Sequence, residues 1–313
     1  MRIYRKSIIL SLVILTGCFR VGEDLEPQIN ATVQDRYLKS LPTPFSRLSP
    51  QEMHADWAKE EQIGIGFAKE LDLYQAITAF KRASFLLPDS DQERRTQLNY
   101  DTLLAYYLGG KYPETIYTFE SNSLRTTNPE FTPYHDLLVM LYDSHLHLDQ
   151  NDQTDALMKY MTHQYPETAQ KLYLSKILSK GNISALQQEA PSHPEIQTLL
   201  DQYNQEKKSV KTAQLLNATI PGAGYLYVGQ TQSALTAVLL NGLFIWASVY
   251  FFQHGNTAAG VIFASFEAGW YFGGIYGAGQ EAKLYNERVY ERYATPLMNE
   301  HRYFPILMLK YGF

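Results

Sequence analysis

The stretch Ile63-Gly-Ile-Gly-Phe67-Ala-Lys-Glu-Leu71-Asp-Leu-Tyr-Gln-Ala76-Ile-Thr-Ala-Phe80-Lys-Arg-Ala83-Ser-Phe-Leu-Leu-Pro88 decides the fold. Small residues and aromatics recur at helical spacing on both sides of a polar turn, the pattern of two helices that cross closely. Gly64 and Ala76 let the two backbones approach, Phe67 and Phe80 fill the space between them, and Ala83 seats the next hairpin. Pro88 ends the second helix, since proline has no N–H to donate and its ring clashes with the preceding turn. Upstream, Ser49-Pro50-Gln51-Glu52 reads as a helix start, with Ser49 as cap, Pro50 at the first helical position and Glu52 reaching back.

These residues resemble a tetratricopeptide repeat, with Leu71 standing where that family carries glycine. A second unit falls at Tyr106, Gly110, Tyr112, Thr115 and Phe119, and a fainter third at Ala156 and Tyr160. Aligning Ala76, Thr115 and Ala156 gives spacings of 39 and 41, longer than the ~34 of the standard repeat. Leu172 to Leu178 and Ile183 to Leu200 read as further short helices. The resemblance implies stacked helical hairpins over residues 49–205, with a groove that takes a protein or peptide partner.

After Lys211 the composition changes. Residues 234–252 carry no charge, long enough to cross a hydrocarbon core of ~30 Å as a helix. A polar turn, Gln253 to Asn256, leads into a second apolar run at 257–278, where glycines allow close helix packing and Glu267 is the only charge. Glu267 either faces its partner helix and pairs with a polar group such as Asn241, or marks an intramembrane proton or ligand site. Before this hairpin, Pro221, Gly222, Gly224, Tyr227 and Gly229 resemble the Pro-Gly-x-Gly-x-x-Tyr-x-Gly motif of small two-helix membrane modules of the TM2-like kind. The resemblance implies a membrane module over 213–280, with the glycine-rich element packed on the hairpin and Tyr225 and Tyr227 at the interface.

At the other end, Arg2, Arg5 and Lys6 precede an apolar run, Ser7 to Leu15, and then Leu15-Thr16-Gly17-Cys18. This resembles the bacterial lipobox. The resemblance implies that residues 1–17 are a signal peptide and that Cys18 carries lipid, each buried methylene contributing ~0.8 kcal/mol to anchoring. Residues 18–48, with Pro27, Pro42 and Pro44, read as a lipidated tether. Residues 281–313 read as a polar or amphipathic tail whose last alternating residues, Tyr303 to Phe313, look like a terminal barrel strand without sister strands.

Topology stays open at this stage. Lys207, Lys208, Lys211, Lys283, Arg288 and Arg292 flank the hairpin, and the positive-inside tendency would put them in the cytoplasm, against a lipidated periplasmic domain. A third crossing near Leu215 to Val228, or a shallow or outer-membrane hairpin, would each resolve the conflict. Two spans favour the inner membrane facing the periplasm; Phe19, where a retention aspartate would sit, favours the outer membrane.

A net charge of −5 and the lack of a basic stripe exclude a nucleic-acid surface, and a single cysteine excludes an intramolecular disulfide. Asp143-Ser-His145-Leu-His147-Leu-Asp149 is the densest polar cluster. Its two histidines lie about 200° apart on a regular helix and cannot share one ion. No metal, cofactor or catalytic constellation is expected. The expectation is an all-α chain, a tetratricopeptide-like solenoid followed by a transmembrane helical hairpin, acting as a non-enzymatic envelope lipoprotein. Two alternatives are a membrane-embedded carrier or enzyme of lipid or ion chemistry, and an outer-membrane biogenesis accessory factor.

Overall fold

The computed structural model describes residues 21–31 and 35–313. The residues of the expected lipobox, Leu15, Thr16, Gly17 and Cys18, lie outside them. The described chain is helical, with no strand among the described residues. The described residues form two compact units: one within 30–176 and 296–313, the other within 21–29 and 177–295. The expected segments 49–205 and 213–280 do not coincide with these units.

The first unit opens with α1 (Asp35–Ser40) and contains three helical hairpins. They pair α2 (Asp56–Lys69) with α3 (Leu73–Leu86), α4 (Gln92–Leu108) with α5 (Tyr112–Glu120), and α6 (Tyr134–His147) with α7 (Asn151–Gln164). Each hairpin turns through one left-handed residue: Leu71 (φ 63°), Gly110 (φ 66°) and Asp149 (φ 53°). The N–H that follows donates five residues back, Asp72 to Phe67 O (3.0 Å), Lys111 to Tyr106 O (2.9 Å) and Gln150 to His145 O (3.0 Å). The turn residue donates three back, to Ala68, Tyr107 and Leu146. This is the Schellman cap, which satisfies helix-end carbonyls and usually takes glycine.

The turns fall in two steps of 39 residues, at 71, 110 and 149. That register corrects the third repeat unit. The residue equivalent to Ala76 and Thr115 is Thr154, buried and bonded to Gln150 O at 2.9 Å, just as Thr115 bonds Lys111 O at 2.9 Å. Ala156 matches by residue type, but the turn sets the phase.

In the first hairpin Gly64 lies against the ring of Phe80, and a Cβ there would sit 2.6 Å from it. Ala76, Phe80 and Ala83 are fully buried. Phe67 does not fill the gap: it is 38% exposed, because Ala68, one turn beyond Gly64, takes the inner position. α3 stops at Leu86, and Leu87 is extended as the residue before Pro88. The start expected at Ser49 forms its capping box, Ser49 N–H to Glu52 Oε2 (2.6 Å) and Glu52 N–H to Ser49 Oγ (3.3 Å). It opens a single 3-10 turn, however, and the α-helix begins at Asp56.

Residues 97–105 of α4 and 135–145 of α6 are buried without interruption, on every side of the helix. Their hairpin mates cover one side. Leu41 and Phe45 from the amino-terminal side, and Ile306, Met308, Leu309 and Phe313, pack into the same cluster as Tyr100, Leu103 and Leu137.

The second unit contains α9 (Ile183–Glu189), α10 (Pro194–Glu206), α11 (Val210–Thr219), α12 (Ala223–Tyr227), α13 (Thr231–Gln253) and α14 (Thr257–Glu300) as far as Thr295; α8 (Pro166–Ser179) begins in the first. Residues 21–29 of the expected tether belong to this unit, with Val21 buried among Val210, Ala213, Val228 and Ala282. Asn286 holds the link before α11 at both its backbone groups, accepting from Lys208 N (2.7 Å) and donating to Lys208 O (2.8 Å). Buried Tyr290 donates to Leu178 O at 2.8 Å and meets the Tyr203 ring edge-on. Among the described residues one helix is long and apolar enough to cross a membrane, α13, and few of its residues are buried. The run 257–278 is the first half of the 44-residue α14.

Gly110 has a left-handed φ and open space around its missing Cβ, so Gly110→Ala is expected to lose ~1 kcal/mol through the backbone alone. Gly64→Ala, which drives a methyl into Phe80, should lose ~1–3 kcal/mol. Urea unfolding of the purified chain measures both; no loss at Gly110 would mean the turn does not hold its φ.

Candidate functional site

The first helices of the three hairpins, α2, α4 and α6, present a groove, and the chain's own segments lie in it. From the amino-terminal side, Phe45 packs edge-on against Tyr100 (5.6 Å) and beside Phe131. Arg94 of α4 fixes this strap, donating to Ser46 O (2.9 Å), Arg47 O (3.2 Å) and Glu52 Oε1 (2.9 Å). Hydrogen bonds from Arg94, then from Ser49, hold the Glu52 carboxyl down at about 2. Arg94 also donates to Gln97 Oε1 (2.7 Å), and Gln97 Nε2 donates to Glu61 Oε1 (2.5 Å). Glu61 is buried and its other oxygen has no partner. Burial pushes its carboxyl up to about 7, and burial likewise pushes Asp101 well above the usual carboxylate range.

From the other side, residues 303–313 leave α14 after one more left-handed turn, at Arg302 (φ 54°). A 3-10 turn, Pro305–Met308, precedes an extended run, so the strand-like alternation of this segment does not produce a strand. Asp136 Oδ2 accepts from two successive amides, Lys310 N (2.7 Å) and Tyr311 N (2.8 Å), while its Oδ1 faces His135 Nδ1 (2.8 Å). Tyr37 Oη donates to Leu307 O (3.1 Å) and Leu309 O (3.0 Å), and Gly312 N donates to Pro42 O (2.9 Å). Phe313 stacks on Phe80, ring centroids 6.0 Å apart.

Tyr106 and Phe119 are half-buried. Tyr106 lies at the hairpin surface, where Lys81 Nζ donates to its hydroxyl (2.7 Å) and sits over its ring. Phe119 packs against the core cluster that holds Tyr100, Leu103 and Leu137. In the polar cluster of α6, Asp143 accepts from Tyr107 Oη (2.8 Å), and His147 stacks on Tyr112 while bonding Asp143 O (2.9 Å). His145 turns away to Gln150 (2.6 Å), and Asp149 occupies the left-handed turn. Among the described residues no group of three or more histidine, cysteine or carboxylate side chains is placed to hold a metal ion.

In the second unit the glycine-rich element turns sharply after α11. Gly222 adopts φ 94°, and a Cβ there would approach Ala234 O to 2.6 Å, so only glycine fits. Its N–H donates to Asn217 Oδ1 (2.9 Å), a buried side chain that no motif reading singled out. Pro221 supplies the break, Gly224 lets α12 touch α11 and α14, and Gly229 (φ 81°) makes the turn into α13. Tyr227 accepts from Ser209 N (3.2 Å) and carries Lys208 over its ring. No hydrogen bond joins Asn241 to Glu267: Asn241 Nδ2 donates to Ala237 O (2.6 Å), and Asn241 Oδ1 and Glu267 Oε2 are each buried without a partner.

Asp136 and Arg94 went unnoticed in the sequence because each acts on backbone groups far along the chain, which no local period marks. Comparison with known proteins finds no family model, no curated protein and no solved structure that matches this chain.

A raised carboxyl pKa in the folded state means that the folded chain binds more protons than the unfolded chain between the two values. Stability therefore falls as pH rises from about 4.5 to about 7 on account of Glu61. Glu61→Gln keeps the acceptor for Gln97 and should flatten that slope in thermal melts. An unchanged slope would mean that Glu61 is charged in the folded chain.

Proposed function

We propose that this chain is a non-enzymatic lipoprotein of the bacterial cell envelope. In this reading it is held at the membrane by Cys18 and by the hairpin of α13 and the first half of α14. Its helical hairpins then serve as a tetratricopeptide-type scaffold for a protein or peptide partner. The observation that carries the membrane part is the outward apolar surface of the second unit. Leu235, Leu239, Leu243, Trp246, Ile262 and Phe266 are each more than half exposed. Soluble surfaces rarely present so large a contiguous apolar patch. Lys283 lies 26 residues into α14, about 40 Å along the helix axis from its start. The basic residues Lys208, Lys283 and Arg292 are thus grouped beyond the length of a hydrocarbon core, where Glu26 and Glu206 pair with the last two.

The test combines lipidation and topology. Cys18→Ala should abolish acyl labelling and signal cleavage, yet leave the chain in the membrane after an alkaline wash, because the hairpin still holds it. Release by that wash would remove the hairpin from the reading. Reporters active only outside the cytoplasm, fused after Tyr203, His254 and Phe313, should score on, off and on for two inner-membrane spans. On at all three points would favour the outer membrane instead.

The alternative, a membrane-embedded carrier or enzyme, draws on the two orphan oxygens of Asn241 and Glu267 in the hairpin. Buried polar groups without partners are often functional. Glu267→Gln is silent under the scaffold reading and abolishes function under the carrier reading.

A further inference from the structure

We propose that residues 303–313 are an intramolecular ligand of the groove on α2, α4 and α6, and that the external partner of this groove is an extended segment of the same chemistry. This rests on the scaffold reading above. The recognition elements are of the kind that read a peptide. Asp136, fully buried, spends one carboxylate oxygen on two successive backbone amides, a contact that any extended segment can make. Gly312 passes close to the strap, and a Cβ there would lie 3.0 Å from Leu41 Cβ. That selects a small residue at this point. Phe313 then enters beside Phe80, and Leu309 is buried three residues before Gly312. The segment the groove selects is therefore aliphatic, two variable residues, glycine, aromatic.

Three features make this segment a displaceable occupant. It is separated from α14 by the turn at Arg302, so it can move without unwinding the helix. Beyond the Tyr303 N–H, which caps α14 at Met298 O (2.8 Å), no strand or helix of the unit shares a hydrogen-bond ladder with it, and its other backbone contacts to the unit are individual bonds to Asp136, Tyr37 and Pro42. Beside the segment, near Tyr311 and Asp136, the Tyr100 hydroxyl is buried and unpartnered. A permanently sealed core would favour apolar groups there, since an unmatched buried polar atom is costly.

The test uses the full chain in detergent, with a specific protease site inserted between Arg302 and Tyr303 and cleaved after folding. A fluorescent synthetic peptide of residues 303–313 is then added and its anisotropy followed. The expected result is saturable binding to the cleaved chain, at least tenfold tighter than to the uncleaved chain. Peptides carrying Gly312→Val or Phe313→Ala should bind at least tenfold more weakly, a comparison that leaves the protein unaltered. Circular dichroism before and after exchange should be unchanged. Absence of binding to the folded, cleaved chain overturns the proposal, as does equal binding to both forms or exchange accompanied by loss of helical signal. None of these results depends on the localisation and substitution tests of the scaffold reading, which stand or fall separately.

Discussion

Two helices of the hairpin domain are buried round their whole circumference, and the architecture follows from that. α4 and α6 present leucine, tyrosine, methionine and aspartate on all sides, so a single hairpin mate cannot cover them. A helix hydrophobic on every face must be surrounded. The missing cover comes from chain segments that flank the hairpins in sequence, the strap through Phe45 and the run through Leu309 and Phe313. Arg94 and Asp136 fix those two segments through backbone atoms, so polar side chains on buried helices are matched by main-chain groups rather than by water.

The second unit solves the opposite problem. α13 buries little of its surface and exposes long aliphatic side chains. What the unit does build internally is its polar base, where Asn286, Tyr290 and Asn217 each bind main-chain groups and the glycines of the Pro221–Gly229 element bring short helices into contact.

Much of the first hairpin was legible in the sequence because the signal is local. Gly64, Ala76, Phe80, Ala83 and Pro88 all act within one helical crossing, and helical spacing exposes them. Phe67 misled because aromatic character was read without its exact angular position relative to Gly64. In the third unit residue type points to Ala156, but the phase is set by a turn whose left-handed residue is Asp149, not glycine. The glycine-rich element was visible as a motif, but its anchor Asn217 lies outside it. The groove contents could not be read at all. Residues 303–313 carry an alternating pattern that suggests a strand, and only long-range contacts turn it into groove filling.

The strap and the groove segment also set an order of assembly. Tyr37 and Leu309 are joined across 272 positions of sequence. Contacts of such separation form late, since the intervening chain must first be brought together. The three hairpins, each closed by a local turn, can form as they are made, while their shared face stays uncovered until the long helix α14 and the residues after it have been synthesised. During that interval the aliphatic floor around Leu103 and Leu137 is open to whatever is nearby. A chain built this way leaves that surface uncovered until its last residues are made.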